Sequence, residues 1–227
     1  MKQNNFLKIN KKHIFFLCSS FVLFILLTLS VIFSENKLNN IEYPLNAWFN
    51  NYYANNSGFF HLFMRFFSFI GDASFVVILT VLLAIWLLFK KYTVLSLWLL
   101  SVIASGGLLG IFMKHIVQRS RPIGHMKVDD GFSFPSGHSI ASSSIILVLV
   151  LVFLPKLNSV YMRISITTVL LIIWLLVLYS RLYFGAHYLS DIIAGVSFIT
   201  FFVLFSMCIY KLTANWFRKY IFKRSKI

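Results

Sequence analysis

The sequence predicts an all-α, polytopic membrane protein: a bundle of six transmembrane helices with an external amphipathic helical segment. Three observations predict it. Of 227 residues, 59% are hydrophobic and only 12% are charged, where a soluble domain carries about 25% charged residues. The apolar residues gather in runs close to the ~20 that a helix needs to cross a bilayer. The charges between those runs segregate by side. A water-soluble core of this size could not hide 26 phenylalanines, so lipid is the natural solvent for most of the chain. The length suits a single membrane-embedded domain over 1–227.

The runs are 14–33, 73–89, 94–113, 140–154, 164–182 and 189–210. The first follows Lys8, Lys11, Lys12 and His13, which also suits a secretory signal. It is longer than a typical signal core and no small-x-small cleavage site follows, so an uncleaved span is expected. The fourth run is short and is expected to begin near Ser136 or Gly137. Segment 35–72, between the first two runs, is long and is expected on the external side. In it Leu45, Trp48, Phe49, Tyr52 and Tyr53 recur at helical spacing, as do Phe59, Phe60, Phe63, Phe66, Phe67 and Ile70. That pattern suits a helix at the lipid–water interface and equally one packed across the bundle mouth. Gly106 and Gly110 stand at G-x-x-x-G spacing, and Ser139, Ala141, Ser142, Ser143 and Ser144 open the fourth run. Small residues let membrane helices approach closely, so both sets are expected to serve packing.

Net charge is +15, which fits either nucleic-acid binding or membrane topology with an anionic ligand. The basic residues are scattered between apolar runs and form no soluble basic face, so nucleic acid is excluded as a partner. The N-terminus, the Lys90–Lys91 loop, the loop with Lys156 and Arg163, and the tail carry 14 of the 21 Lys and Arg. By the positive-inside rule these segments are cytoplasmic. Residues 1–13 and 211–227 are then cytoplasmic basic tails, the latter lying against anionic inner-leaflet lipids. All six acids, Glu35, Glu42, Asp72, Asp129, Asp130 and Asp191, fall on the external side. Asp72, just after Gly71, is a candidate cap for the second span. Cys18 and Cys208 each lie in an apolar run, with neither disulfide nor metal-site spacing.

Three clusters near the external ends of spans carry chemistry. Lys114 and Arg121 are seven apart, close to two helical turns, and share a face if the helix extends that far, with Pro122 helping to stop it. Cations at a span end also snorkel without any other role. In Pro135-Ser136-Gly137-His138 a turn feeds a helix N-terminus, a ready anion cradle. It also reads as a serine cap beside an interfacial histidine. Ser180-Arg181 precedes His187 and Asp191, which are four apart and expected on one helix face. A carboxylate on one imidazole nitrogen raises the basicity of the other, which prepares a nucleophile. A structural His–Asp pair is the plainer alternative. Together, three cations, a cradle and two histidines on one side match phosphoryl transfer, where positioning and charge stabilisation dominate. Arginines grip phosphate oxygens in bidentate fashion. Arg119, Lys127, Asp129 and Asp130 between the first two clusters read as solvated loop charges, with head-group recognition as the alternative.

In these clusters the sequence resembles the type 2 phosphatidic acid phosphatase family, whose motifs are K-x6-R-P, P-S-G-H and S-R-x5-H-x3-D. They stand here without departure as Lys114 to Pro122, Pro135 to His138 and Ser180 to Asp191, a motif region of 114–191. The resemblance implies a lipid phosphatase. His187 attacks phosphorus to form a phosphohistidine, Asp191 orients and activates it, and His138 protonates the leaving oxygen. Lys114, Arg121, Ser136, Gly137 and Arg181 hold the phosphate. No metal or other cofactor is implied, in keeping with the lack of a carboxylate-rich or Cys/His ligand cluster. Ser180 belongs to the motif without an evident physical role. Soluble vanadate-dependent haloperoxidases share the motifs, but six apolar runs argue against that branch.

The expected partners are a lipid phosphate and membrane lipids, with no obligate protein partner evident. External placement favours undecaprenyl diphosphate, with phosphatidylglycerophosphate the close rival and a lipid phosphotransferase a further option. A transporter would carry ionisable or helix-breaking residues near the midplane of several spans, and here they collect at one face. A catalytically dead scaffold would not keep this full residue set.

Overall fold

The computed structural model describes residues 7, 9–55, 58–123 and 131–226. Among them there is no strand, and helices follow one another as α1 (Lys11–Asn55), α2 (Phe59–Ile70), α3 (Ala73–Phe89), α4 (Thr93–Val117), α5 (Gly137–Val148), α6 (Val160–Tyr183) and α7 (Leu189–Tyr220). A π turn and a 3₁₀ turn prolong α5 through Lys156. With that extension, five of the described helices are long and apolar enough to cross a membrane. The sixth expected span is a bent pair, because α2 meets α3 at 50°. Glycine at the break explains the close approach: a Cβ on Gly71 would lie 2.2 Å from Val177 on α6. Asp72 caps α3 as expected, its side chain accepting from Ser74 N–H at 2.8 Å.

The segment from 35 onward is helical, as expected, and follows the first span across a kink with no intervening loop. Backbone at Ser34 leaves helical geometry (φ −145°, ψ 31°), where the apolar run ends, and α1 then continues to Asn55 through Pro44. Ser20, Phe24, Thr28 and Val31 are buried at helical spacing on the first part, and α1 packs most extensively along α7. Beyond Ser34 the buried positions are Glu42, Asn46 and Phe49. Its far end joins α2 and α6 in an aromatic cluster, with Phe49 against Tyr179 at 5.4 Å and Phe60 against Tyr183 at 5.4 Å between ring centres.

The small residues of the third and fourth runs serve packing, as expected. A Cβ on Gly106 would meet Ile199 at 2.8 Å, and one on Gly110 would meet Ile140 at 2.6 Å. These glycines bring α4 against α7 and α5. Ser143 Oγ accepts from Trp174 Nε1–H of α6 at 2.8 Å. At the other end the tail is helical to Tyr220 and then folds back onto protein. Lys226 N–H donates to Lys91 O at 2.7 Å, and Ser225 Oγ accepts from Val94 N–H at 3.2 Å.

Candidate active site

The three clusters converge at one end of the bundle. α4 stops at Val117, where Gln118 takes a left-handed conformation (φ 54°). Arg121 therefore does not extend the α4 face that carries Lys114, contrary to the seven-residue expectation. A folded segment returns it instead: Arg121 Nε donates to Gly131 O at 3.1 Å and its Nη1 to Ala186 O at 2.7 Å. That places Nη1 3.5 Å from His187 Nε2. Lys114 Nζ donates to Phe132 O at 2.6 Å, on the stretch that leads into α5. Arg181, in the last turn of α6, is buried; its Nη1 donates to Ser68 Oγ at 2.7 Å and lies 3.5 Å from His138 Nε2. Asp72 adds a carboxylate 3.9 Å from the same imidazole nitrogen. Each histidine is thus matched with one arginine.

α5 starts at Gly137 with Ser136 as its cap, as expected. The anion cradle is narrower than the motif suggests. Ser136 N–H is committed to the Asp191 carbonyl at 3.0 Å, and Ser139 N–H leans on Ser136 Oγ at 3.4 Å. The amides of Gly137 and His138 remain as first-turn donors without intrahelical partners. A side chain on Gly137 would meet open space. Ser180 is fully buried, its hydroxyl turned to Val177 O at 2.6 Å.

His187 precedes α7 instead of lying on it, since the helix begins at Leu189 with Tyr188 as cap. Asp191 is the third helical residue and closes a capping box, with Oδ2 accepting from Tyr188 N–H at 3.0 Å. The pair still meets, with His187 Nδ1 3.6 Å from Asp191 Oδ2. That is an ion-pair distance and longer than a hydrogen bond. Only 2% of His187 is exposed. Burial and the nearby Arg181, Lys114 and Arg121 charges hold its pKa well below the usual histidine value, against a smaller upward pull from Ser133.

Arg119 is the residue that the sequence reading misplaced. Far from being a solvated loop charge, it is fully buried. Its Nη1 donates to Asp191 Oδ1 and Ser190 Oγ, both at 2.6 Å, and its Nη2 to Glu42 Oε2 at 2.9 Å and Asn39 Oδ1 at 2.5 Å. Glu42 and Asn39 were missed as well. Their one sequence signal is i, i+3 spacing on a helix that also carries Asn46. Gly195 was also missed. It stands four after Asp191, one turn along the same face, and a Cβ there would lie 2.8 Å from Ser136 O. Its absence lets the start of α5 seat on α7. Lys127, Asp129 and Asp130 lie outside the described residues.

Fold and site define a multi-pass membrane protein with a cluster of cations and two histidines at one end of its bundle, a set chemically suited to a phosphate group. The chain belongs to the PAP2 superfamily, whose sequence profile matches residues 95–216. Phosphatidylglycerophosphatase B of Bacillus subtilis (strain 168) is 32% identical over 136 residues, 56% of this chain. The match spans 64% of that relative, less than two thirds of its length. A crystal structure described as the first transmembrane PAP2 type phosphatidylglycerolphosphate phosphatase from Bacillus subtilis superposes with a TM-score of 0.70. It is 25% identical, and the alignment covers 87% of this chain and 96% of that one.

Proposed function

We propose that this protein is a metal-independent lipid phosphatase that works through a phosphohistidine. The observation that carries the reading is the pairing of two imidazoles with two arginines at one end of the bundle, each at 3.5 Å. With Nδ1 turned toward Asp191, the neutral His187 presents its Nε2 lone pair toward the pocket beside Arg121. Nε2 forms the bond to phosphorus, while the bond from phosphorus to the lipid oxygen breaks. His138 gives that oxygen its proton, and then takes one from the water that cleaves the phosphohistidine. Lys114, Arg121, Arg181 and the amides at the start of α5 hold the phosphate oxygens, where charge spreads in the transition state. The amide share falls mainly to Gly137, given the bond between Ser136 N–H and Asp191.

An apolar groove of about 130 Å³ supports a lipid substrate. Val77, Ile103, Ile111 and Ile140 of α3, α4 and α5 line it, and Lys114 and Gly137 also belong to its wall. A hydrocarbon chain in this groove would have its phosphate at the site. The activity named for the Bacillus relative and for the solved Bacillus structure favours a glycerolipid phosphate of the phosphatidylglycerophosphate kind over undecaprenyl diphosphate. Transfer to a lipid acceptor would use the same first step. We further propose one domain over 1–227, cytoplasmic termini and an external site in the plasma membrane. The basic segments at the end of the bundle away from the histidines support this orientation.

Phosphate release by purified protein from phosphatidylglycerophosphate, undecaprenyl diphosphate and undecaprenyl phosphate, side by side with His187→Ala, tests the proposal. Release from at least one lipid that His187→Ala abolishes is expected. Equal release by the variant, or none from any lipid, would overturn it.

A further inference from the structure

Two carboxylates share the buried Arg119 guanidinium. Asp191 Oδ1 takes its Nη1 at 2.6 Å, and Glu42 Oε2 takes its Nη2 at 2.9 Å. The face of the guanidinium lies 4.0 Å over the Tyr188 ring. Glu42 is tied to the start of α7 twice more, by Ser190 N–H at 2.7 Å and by the Ser190 hydroxyl at 2.8 Å. It belongs to α1, outside the residues 95–216 that carry the family match. Only 8% of Glu42 and none of Arg119 is exposed, so water screens these charges little.

The charge balance gives Glu42 its consequence. Arg119 and Asp191 alone would form a neutral pair, and His187 would face a carboxylate whose charge its neighbour cancels. Glu42 adds a second negative charge, so the three groups together carry one. The imidazole needs that charge, because the other ionisable groups that reach it are Lys114 from α4, Arg121, Arg181 from α6 and His138 from α5, beside Asp191 itself. Glu42 in turn faces Arg119 and Ser190, with Tyr188 nearby and Asn39 one turn back on its own helix.

We infer that Glu42 is a positioning residue for phosphoryl transfer: through Arg119 it keeps Asp191 an effective negative partner of His187, and so sets the pH range in which the imidazole attacks. The inference rests on His187 as the nucleophile proposed above. It adds a residue from the first helix to the residues proposed for phosphoryl transfer, the others of which lie from α4 onward.

The test is the pH profile of kcat/KM for phosphate release in detergent from phosphatidylglycerophosphate, or from undecaprenyl diphosphate or undecaprenyl phosphate should the wild type leave the first intact. In Glu42→Gln the net charge of the cluster rises by one, which favours the neutral imidazole. The acidic limb should move about one pH unit lower, the effect of a charge on the order of 10 Å away at an effective dielectric of about 20. The plateau should fall about threefold, because a less basic nitrogen is a weaker nucleophile and the logarithm of the rate follows about half of the change in basicity. Glu42→Asp keeps the charge and should keep the limb in place, whatever its plateau. A limb at the wild-type pH in Glu42→Gln overturns the inference, since a purely structural role lowers the plateau alone. Should Glu42→Gln fail to fold, the double variant E42Q/R119Q also removes the nearer positive charge and should return the limb to the wild-type pH or above it; a limb still displaced downward overturns the inference too. An inactive wild type would instead end the proposed function, so the two failures are distinct.

Discussion

Replacing Gly195 by alanine perturbs the site from the α7 side, through Ser136 and Ser139 at the start of α5. The new methyl would lie 2.8 Å from Ser136 O and 2.9 Å from Ser139 Cβ. One of those neighbours is backbone, so no side-chain rotation relieves the contact. Reaching ordinary van der Waals separation, beyond 3.4 Å, requires the start of α5 to move by about 0.6 Å. His138 sits two residues past Ser136, and the 3.0 Å bond from Ser136 N–H to Asp191 O spans the same joint. The shift therefore changes the spacing between the two histidines. A misplacement of about 1 Å costs about 10²-fold in rate, so about tenfold is expected here. Stability should change less. Overpacking costs about 1–3 kcal/mol, and alanine regains about 1 kcal/mol of helix propensity over glycine. Initial rates of phosphate release, set beside a thermal melt of the same detergent-solubilised sample, provide the assay. A rate within about twofold of wild type in a normally folded variant would refute the reasoning, because the α5–α7 seat would then not set the geometry that the rate depends on.

His187→Ala should reduce phosphate release by about 10³-fold or more, as removal of a nucleophile does elsewhere, while the melt stays near wild type; turnover by this variant would remove the covalent step. Because burial and three cations lower the His187 pKa, the nucleophile stays neutral as pH falls through the ordinary histidine value of about 6.5. Once the substrate's own phosphate ionisation is divided out, the acidic limb of kcat/KM should lie below that pH, and a limb above it would contradict the electrostatics. EDTA should leave the rate unchanged, since the proposed mechanism sets Lys114, Arg121 and Arg181 on the phosphate oxygens and uses no metal; loss of activity that added divalent metal restores would contradict this. Vanadate, which adopts the five-coordinate shape of the transition state, should inhibit competitively with lipid phosphate.

Much of this protein follows from the order of its residues alone. Runs of apolar residues have one stable resolution in a bilayer, because unpaired backbone groups are prohibitive there and a helix satisfies its own. Helix type and approximate span positions thus required no tertiary information. The three clusters were also legible, since Lys114, Arg121, His138, Arg181, His187 and Asp191 are polar groups at the ends of apolar runs, where polarity calls for a reason. Even the start of α5 at Gly137 could be placed from the Pro-Ser-Gly turn.

Tertiary structure decided what local periodicity cannot carry. Sequence spacing put Lys114 and Arg121 on one helix, yet α4 ends at Val117 and Arg121 reaches His187 through bonds to Gly131 O and Ala186 O. Arg119 looked like a surface charge because its two carboxylates stand 77 and 72 residues away. Segment 35–55 carried a legible helical pattern, but only its packing on α7 turned Glu42 inward and made α1 part of the site. The physical reason is the same in each case: a helical repeat relates residues three and four apart, whereas a buried charge is satisfied by whatever partner the folded chain brings within about 3 Å.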